Sequence, residues 1–197
     1  MSRVIVIGGG AAGMMAAYAA ASCGHSEVLL EQNEKLGKKL FITGKGRCNV
    51  TNACEREKLF ENVVSNPKFL YSAFSEFDNG DLMELLRRAG CPLKVERGER
   101  VFPVSDHASD VTAALTRLLK ERGVEVRLHV KVKEISAADG RVTGALLANG
   151  QYIRADAVVL ATGGLSYPTT GSRGDGHRIA EGLGHTLKTC TPALTPM

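Results

Sequence analysis

Arg3-Val-Ile-Val-Ile7, then Gly8-Gly-Gly-Ala-Ala-Gly13, then an alanine-rich run to Gly24, then Glu27-Val-Leu-Leu-Glu31: these four consecutive pieces carry the architecture of the chain. Five mostly β-branched apolar residues make a buried strand, and the alanine-rich stretch has helical composition. Between them Gly8, Gly10 and Gly13 form G-x-G-x-x-G in the strand-to-helix position where it has a mechanism. Gly8 allows the tight turn, Gly10 lets the backbone approach a pyrophosphate, and Gly13 lets the helix pack close on the strand. The helix N-terminus offers free N–H groups and positive dipole to phosphates. The second strand ends in Glu31, where a carboxylate bonds the adenosine ribose hydroxyls. Glycine clusters are common in turns, so the triplet alone is weak evidence. Strand, glycines, small-residue helix, second strand and terminal acid in register make it a dinucleotide site.

A competing reading treats Val4 to Cys23, almost free of charge, as a signal peptide or membrane span, with Ala19-Ala-Ala-Ser-Cys23 mimicking a processing site. The glycines interrupt the apolar run early, the charged flank is the single Arg3, and this reading leaves the later acid to chance. The expectation is therefore no membrane segment.

At 197 residues, 44% hydrophobic and 23% charged, the chain has room for one core and the composition of an ordinary globular protein. The net charge of +4 comes from scattered cations, with small clusters at Lys38-Lys39 and Arg87-Arg88. That suits an anionic small molecule; without clustered cations and a stacking face, and with no Trp, no nucleic-acid partner is expected. Five cysteines, an odd number without C-x-x-C, argue against a disulfide framework and a zinc site, so no metal is expected. Cys23, Cys54, Cys91 and Cys190 read as reduced thiols of a cytoplasmic protein.

The polar stretch Gln32 to Asn52 is long for a loop and holds Lys35, Lys38, Lys39, Lys45 and Arg47. Its core, Thr43 to Asn52, reads as a polar clamp over an anion or heterocycle, or as a solvated basic loop. Helices are expected over Pro67–Phe77, Asp81–Ala89 (capped by Asp78 or Asn79, stopped by Gly90), His107–Arg122 and Asp175–Leu183. Leu93–Val95 is a short strand, and Val124–Val130 alternates strictly, as a strand packed on the nucleotide sheet does. Lys131–Ile135, Arg141–Ala148 and Gln151–Arg154, joined by Asp139-Gly140 and Asn149-Gly150, form a three-stranded antiparallel meander. Ala157–Ala161 returns to the core as an apolar strand ending in Thr162-Gly-Gly164.

The fold class is thus α/β: a parallel Rossmann-like sheet with an antiparallel three-stranded β-meander, similar to the glutathione-reductase-type FAD/NAD(P)-binding domain. Gly44-Lys-Gly-Arg-Cys-Asn-Val-Thr-Asn52, Glu96-Arg-Gly-Glu-Arg-Val-Phe-Pro-Val-Ser-Asp106, Ala161-Thr-Gly-Gly-Leu-Ser-Tyr-Pro-Thr-Thr-Gly-Ser172, Gly174-Asp-Gly176 and Gly184-His185 narrow it further. On these motifs the chain resembles, from end to end, the BaiN/YhiN-like flavoproteins, also called the aminoacetone oxidase family of FAD-binding enzymes.

The resemblance implies FAD as cofactor. Gly8, Gly10, Ala12 and Gly13 hold its pyrophosphate; Glu31, with Gln32 beside it, is at the adenosine ribose. Lys39 and the run Gly46, Arg47, Cys48, Asn49 lie along the phosphates and ribityl chain towards the flavin ring. Val130 brings its backbone to the adenine, and Thr162, Gly163 and Gly164 close over the cofactor. Cys48 lacks a second cysteine at redox spacing, and no catalytic residue is assigned. The implied activity is hydride transfer between flavin and a small organic or steroid-like substrate, by enone reduction or amine oxidation. The rival is an FAD-binding module acting in RNA modification, and a third possibility is a catalytically incomplete fragment. Family members are substantially longer, with an inserted substrate domain and a C-terminal return. Residues 1–190 are therefore expected to be the N-terminal segment of the FAD-binding domain, residues 191–197 the start of a linker, and the short chain to self-associate.

Overall fold

Val4 to Ile7 of strand β1 (Arg3–Ile7) are all buried, and helices pack against one face of this strand and an antiparallel meander against the other. The structure, a computed structural model, describes residues 1–191. Helix α1 (Ala11–Ser22) follows the glycine turn, and Gly24, at φ +79°, ends it and leads into β2 (Ser26–Leu30). β2 pairs in parallel with β1 from Arg3–Ser26 to Ile7–Leu30. The strand, helix and second strand are those the motif requires.

Residues Leu40–Gly46 wind as two short 3-10 turns separated by left-handed Gly44 and Lys45. Then come β3 (Thr51–Asn52), α2 (Arg56–Glu61), a 3-10 turn at Pro67–Leu70, α3 (Tyr71–Glu76) and α4 (Asn79–Arg88). They are followed by β4 (Leu93–Glu96), β5 (Arg100–Pro103), α5 (Ala108–Glu121) and β6 (Glu125–Arg127). The meander is β7 (Val132–Ala138), β8 (Arg141–Leu147) and β9 (Tyr152–Arg154); β10 (Ala157–Leu160) and α6 (Asp175–Gly182) complete the described elements. The main sheet has the order β10-β1-β2-β6, all parallel.

Alternation along β1 divides the core in two. Val4 and Val6 face α1 and α5, packing with Met14, Ala17, Val111 and Leu115; Ile5 and Ile7 face the meander, with Val132, Ile135, Ala145 and Ile153. The result is a helix layer, a parallel sheet and an antiparallel sheet. Each large side chain buried between them contributes about 1.5–3 kcal/mol.

The structure corrects several expectations. Val124–Val130 pairs only over Glu125–Arg127, because His129 takes φ +58° and turns the chain. The Pro67–Phe77 helix breaks into a 3-10 turn and the separate α3. α4 starts at Asn79, two residues before the expected Asp81. Asp78 is its cap, accepting from Gly80 N and Asp81 N while Asp81 accepts from Asp78 N. The return strand β10 is an edge strand, with Val159 36% exposed rather than enclosed. The expected strand at Leu93–Val95 is β4, but its partners β5 and β3, which make a second antiparallel sheet β3-β5-β4, and helix α2 have no counterpart in the sequence reading, since a two-residue strand such as β3 carries no periodicity. Of the expected linker 191–197, residues 192–197 lie outside the described residues.

Glu27 on β2 is buried, and its Oε1 has no hydrogen-bond partner among the described residues. Burial pushes its carboxyl above the ordinary value of 4.5, against the pull of His25. The folded state therefore keeps a proton that the unfolded chain releases, and stability falls as pH rises through that window. Glu27→Gln should unfold at higher temperature than the parent at neutral pH, the difference closing as pH drops to about 4.5. Thermal unfolding of the two proteins across that range checks it.

Candidate functional site

A cavity of about 620 Å³ opens beyond the C-terminal ends of β1, β2 and β10. Its floor is the turn Gly8–Gly10 and the first residues of α1, Ala11 and Ala12; Glu31, Gln32 and Asn33 form one wall. Thr162, Gly163 and the segment Thr170–Ser172 form the other, with Lys38, Lys39, Thr43 and Val130 at the edges. Of the sequence-derived residues, Gly8, Gly10, Ala12, Glu31, Gln32, Lys39, Val130, Thr162 and Gly163 line this space. Gly13, Gly46, Arg47, Cys48, Asn49 and Gly164 do not.

The turn has no room for side chains where the chain must double back. A Cβ on Gly8, which takes φ +106°, would stand 2.5 Å from the Ala161 carbonyl oxygen, and one on Gly13 would press into the Gly8 carbonyl oxygen. Gly13 therefore acts from beneath the cavity, by letting α1 begin directly under the turn. Gly10 is different: beyond its own residue and its two chain neighbours, no atom of the described chain stands within 4 Å of the place its Cβ would occupy. Gly10 is also the N-cap of α1, with no side-chain cap and no acid in the first helical turn. The end of the helix thus presents uncapped N–H groups and positive dipole to the open cradle.

Glu31 is 7% exposed. Its Oε2 accepts from Gly9 N (2.6 Å), and its Oε1 accepts from Asn33 N (2.7 Å) and Asn33 Nδ2 (2.6 Å). Val130 N is already committed to Glu31 O (2.9 Å), which brings Val130 to the cavity rim. Lys39 Nζ donates to Ser166 O (2.8 Å), joining the Gln32–Asn52 stretch to the segment that follows β10, and burial pulls its pKa below the ordinary lysine value.

Arg47 has other partners. Its Nη1 donates to Glu96 Oε1 (2.9 Å) and Asp106 Oδ1 (3.2 Å), and its guanidinium stacks 4.0 Å from the centre of the Phe102 ring. The Glu96 hydrogen bond, then Asp106, hold its pKa above the usual arginine value, and Lys94 completes the network by bonding Asp106 Oδ2 (2.7 Å). Asn49, with its amide nitrogen towards Thr51 O and Val101 O, is likewise attached to the β3-β5-β4 sheet. Cys48 is 1% exposed, and burial pushes its thiol pKa up, which favours the unreactive protonated form. The run Gly46–Asn49 is therefore anchored on the second sheet, while Thr43 reaches the cavity from the same segment.

Gly9, Asn33, Lys38 and Thr170–Ser172 line the cavity and were given no cofactor role from the sequence. The second residue of the glycine turn was a readable signal for Gly9. The others meet the site only through tertiary contacts.

The residues present fit an adenine dinucleotide: an open glycine cradle, an uncapped helix N-terminus and a buried carboxylate past the second strand surround a cavity of suitable size. Residues 2–192 match the HI0933-like protein Rossmann domain. The chain belongs to the HI0933-like family. The HI0933-like domain is an FAD-binding Rossmann-like domain, and FAD is its cofactor. A 3-dehydro-bile acid delta(4,6)-reductase of Clostridium scindens is 38% identical over 200 residues, covering 100% of this chain and 47% of that protein. A ribosomal RNA dihydrouridine synthase of Escherichia coli is 31% identical over 192 residues, covering 98% and 47%. The chain spans about half the length of the curated relatives it matches. Among solved structures, a 3-ketosteroid-delta4-(5alpha)-dehydrogenase from Rhodococcus jostii RHA1 superposes with TM-score 0.68 at 17% identity, over 93% of this chain and 54% of that one. That likeness shows a shared fold. No helix among the described residues is long and apolar enough to cross a membrane, and none of their His, Cys, Asp and Glu side chains form a group of three placed to hold a metal.

Two glycines should separate packing from binding. Gly10→Ala, placed in open space, should cost no more than about 1 kcal/mol of stability as a poorer N-cap, yet weaken FAD binding at least about tenfold, about 1.4 kcal/mol. Gly13→Ala should lower both together, because its methyl meets backbone. Paired melting curves and flavin titrations check both.

Proposed function

We propose that the protein carrying this chain is an FAD-dependent oxidoreductase that reduces a double bond in a small, steroid-like enone, with this chain supplying the cofactor domain. The observation that carries the proposal is the cavity beyond the glycine turn, bordered by buried Glu31, in a chain 38% identical along its length to a 3-dehydro-bile acid reductase. Bound FAD supplies hydride transfer. In this reading Gly8, Gly10 and Ala12 receive the pyrophosphate, with Gly13 beneath the turn letting α1 start there, Glu31 and Gln32 the adenosine ribose, and Val130 the adenine. Lys39 supplies positive charge along the phosphates. Thr162 and Gly163 cover the cofactor, with Gly164 next to them in the chain. Gly46, Arg47, Cys48 and Asn49 stand outside the cavity, and Arg47, held by Glu96 and Asp106, fixes the segment that brings Lys39 and Thr43 to it. Residues 1–190 are the N-terminal segment of the cofactor domain, and 191–197 the start of a linker to an inserted substrate domain. Self-association of the chain by itself belongs to the same reading; Val159, Leu165 and Tyr167 are exposed apolar residues on and after β10. The five free thiols suit a cytoplasmic protein.

A second reading is favoured by the relatives that are ribosomal RNA dihydrouridine synthases. A dehydro-bile acid and a uracil ring both offer a carbon–carbon double bond conjugated to a carbonyl, so one cofactor domain serves either. The scattered positive charge of the chain weighs towards the small molecule.

The full-length protein, reduced anaerobically, should be reoxidised by a 3-oxo-Δ4,6 steroid and not by an unmodified ribosomal RNA transcript; the reverse result establishes the second reading. The ribose assignment has its own check. Glu31 repels a 2′-phosphate, so ADP should bind at least about tenfold more tightly than its 2′-phosphorylated form, about 1.4 kcal/mol. Equal affinities in a competition titration would remove Glu31 from the ribose.

A further inference from the structure

Asn33 stands two residues beyond Glu31, at the cavity wall, and makes more connections there than its neighbours. Its backbone N and its Nδ2 both donate to Glu31 Oε1, at 2.7 and 2.6 Å. The same Nδ2 donates to Thr170 O at 3.2 Å, across 137 residues of chain. Its Oδ1 accepts from Lys38 Nζ at 3.4 Å, and its backbone O accepts from His129 N at 3.1 Å. The amide orientation is internally consistent: the nitrogen faces two acceptors and the oxygen faces a cation. Next to it, Gln32 Nε2 donates to Gly171 O at 3.0 Å. Gly171 takes φ +99°, and a Cβ there would stand 2.9 Å from Asn33 Nδ2 and 3.0 Å from Gln32 Nε2. The segment is fitted against these two amides.

Resting on the reading that the Glu31 end of the cavity takes the adenosine ribose, we propose that Asn33 is a positioning residue for the cofactor: its amide orients the Glu31 carboxylate and ties it to the segment Leu165–Gly174. A count of acceptor sites supports this. A carboxylate offers about four lone-pair positions. Asn33 occupies both on Oε1 and Gly9 N one on Oε2, so one position, on Oε2, is left for a ribose hydroxyl. Asn33 thus fixes which oxygen meets the ribose. The same amide nitrogen holds the Thr170 carbonyl, so the ribose carboxylate and the opposite wall of the cavity share one donor.

Asn33→Asp keeps the shape and removes that donor, setting a second carboxylate against Glu31. The titratable and charged groups around the pair are Lys38, itself paired with Glu34 (3.2 Å), Lys39 on Ser166, His129, whose backbone N bonds Asn33 O, and Lys131, Asp175 and His177 on the cavity lining. Of two facing carboxylates, one retains a proton more readily than either does alone, and that proton replaces the lost amide donor as pH falls. With ADP as probe and the full-length protein, Asn33→Asp should bind at least about tenfold more weakly than the parent at about pH 8 and recover most of the loss at about pH 6. Asn33→Ala, which cannot take up a proton there, should lose affinity equally at both. Melting curves run alongside should show both variants folded.

If the parent binds ADP and both variants match it, Asn33 has no positioning role. Weakened binding that follows lowered melting temperature, with no difference in pH dependence between the variants, likewise overturns the proposal in favour of a structural role. A parent that does not bind ADP at all overturns the adenosine reading of the cavity, and the inference with it.

Discussion

Backbone meets backbone where α1 begins under β1, and this contact requires a residue without Cβ at position 13. The Gly8 carbonyl lies where a Gly13 side chain would be. The helix can therefore start within a few residues of the strand's end, with Met14 N already bonded to Gly10 O (2.9 Å). The turn is pinned from both sides: Gly8 N donates to Leu30 O and Ala161 N to Ile7 O, each at 2.8 Å, which extends the ladders of β2 and β10 past the strand. The position of the cavity follows. β1 lies between β2 and β10, so the connections leave it on opposite sides and a crevice opens beyond the carboxyl ends. Neither the cradle at Gly10 nor the approach of Glu31 to Gly9 N would survive a shift of the helix along the strand.

Two cations of the Gln32–Asn52 stretch are used differently. Arg47 is compensated by Glu96 and Asp106 and stacks on Phe102, so its charge is spent within the second sheet. Solvent-accessible pairs of this kind contribute little to stability. Their value here is geometric, because they fix the run Gly46–Asn49 on β4 and β5. Lys39 instead donates to the neutral oxygens of Ser166, with no carboxylate to offset it among the ion pairs of the described residues. Its positive charge stays directed at the cavity, where an anion would meet it.

Local signals were legible. The glycine turn, the capping of α4 within one residue, the three strands and two hairpin turns of the meander, and the amphipathic α5 each rest on residues within a few positions of one another. Signals failed where partners are distant or strands short. Nothing within Thr51–Asn52 marks it as a strand; it becomes one because Val101 and Arg100 stand opposite. The alternation of Val124–Val130 promised a longer strand, but His129 N and Val130 N bond to the backbone of Asn33 and Glu31, and the chain turns to meet them.

The sequence by itself determined the strand–turn–helix at the N-terminus, the nucleotide-type cradle and the class of fold, because steric exclusion at glycine and the alternation of apolar side chains act over a few residues. Only the tertiary structure decided how the site residues are used. It set Arg47 on Glu96 and Asp106 rather than at the cavity, filled three acceptor positions of Glu31 from its own chain, and brought Thr170 to Asn33 across 137 residues. A hydrogen bond between such distant residues depends on the path of the whole sheet, which no local pattern encodes.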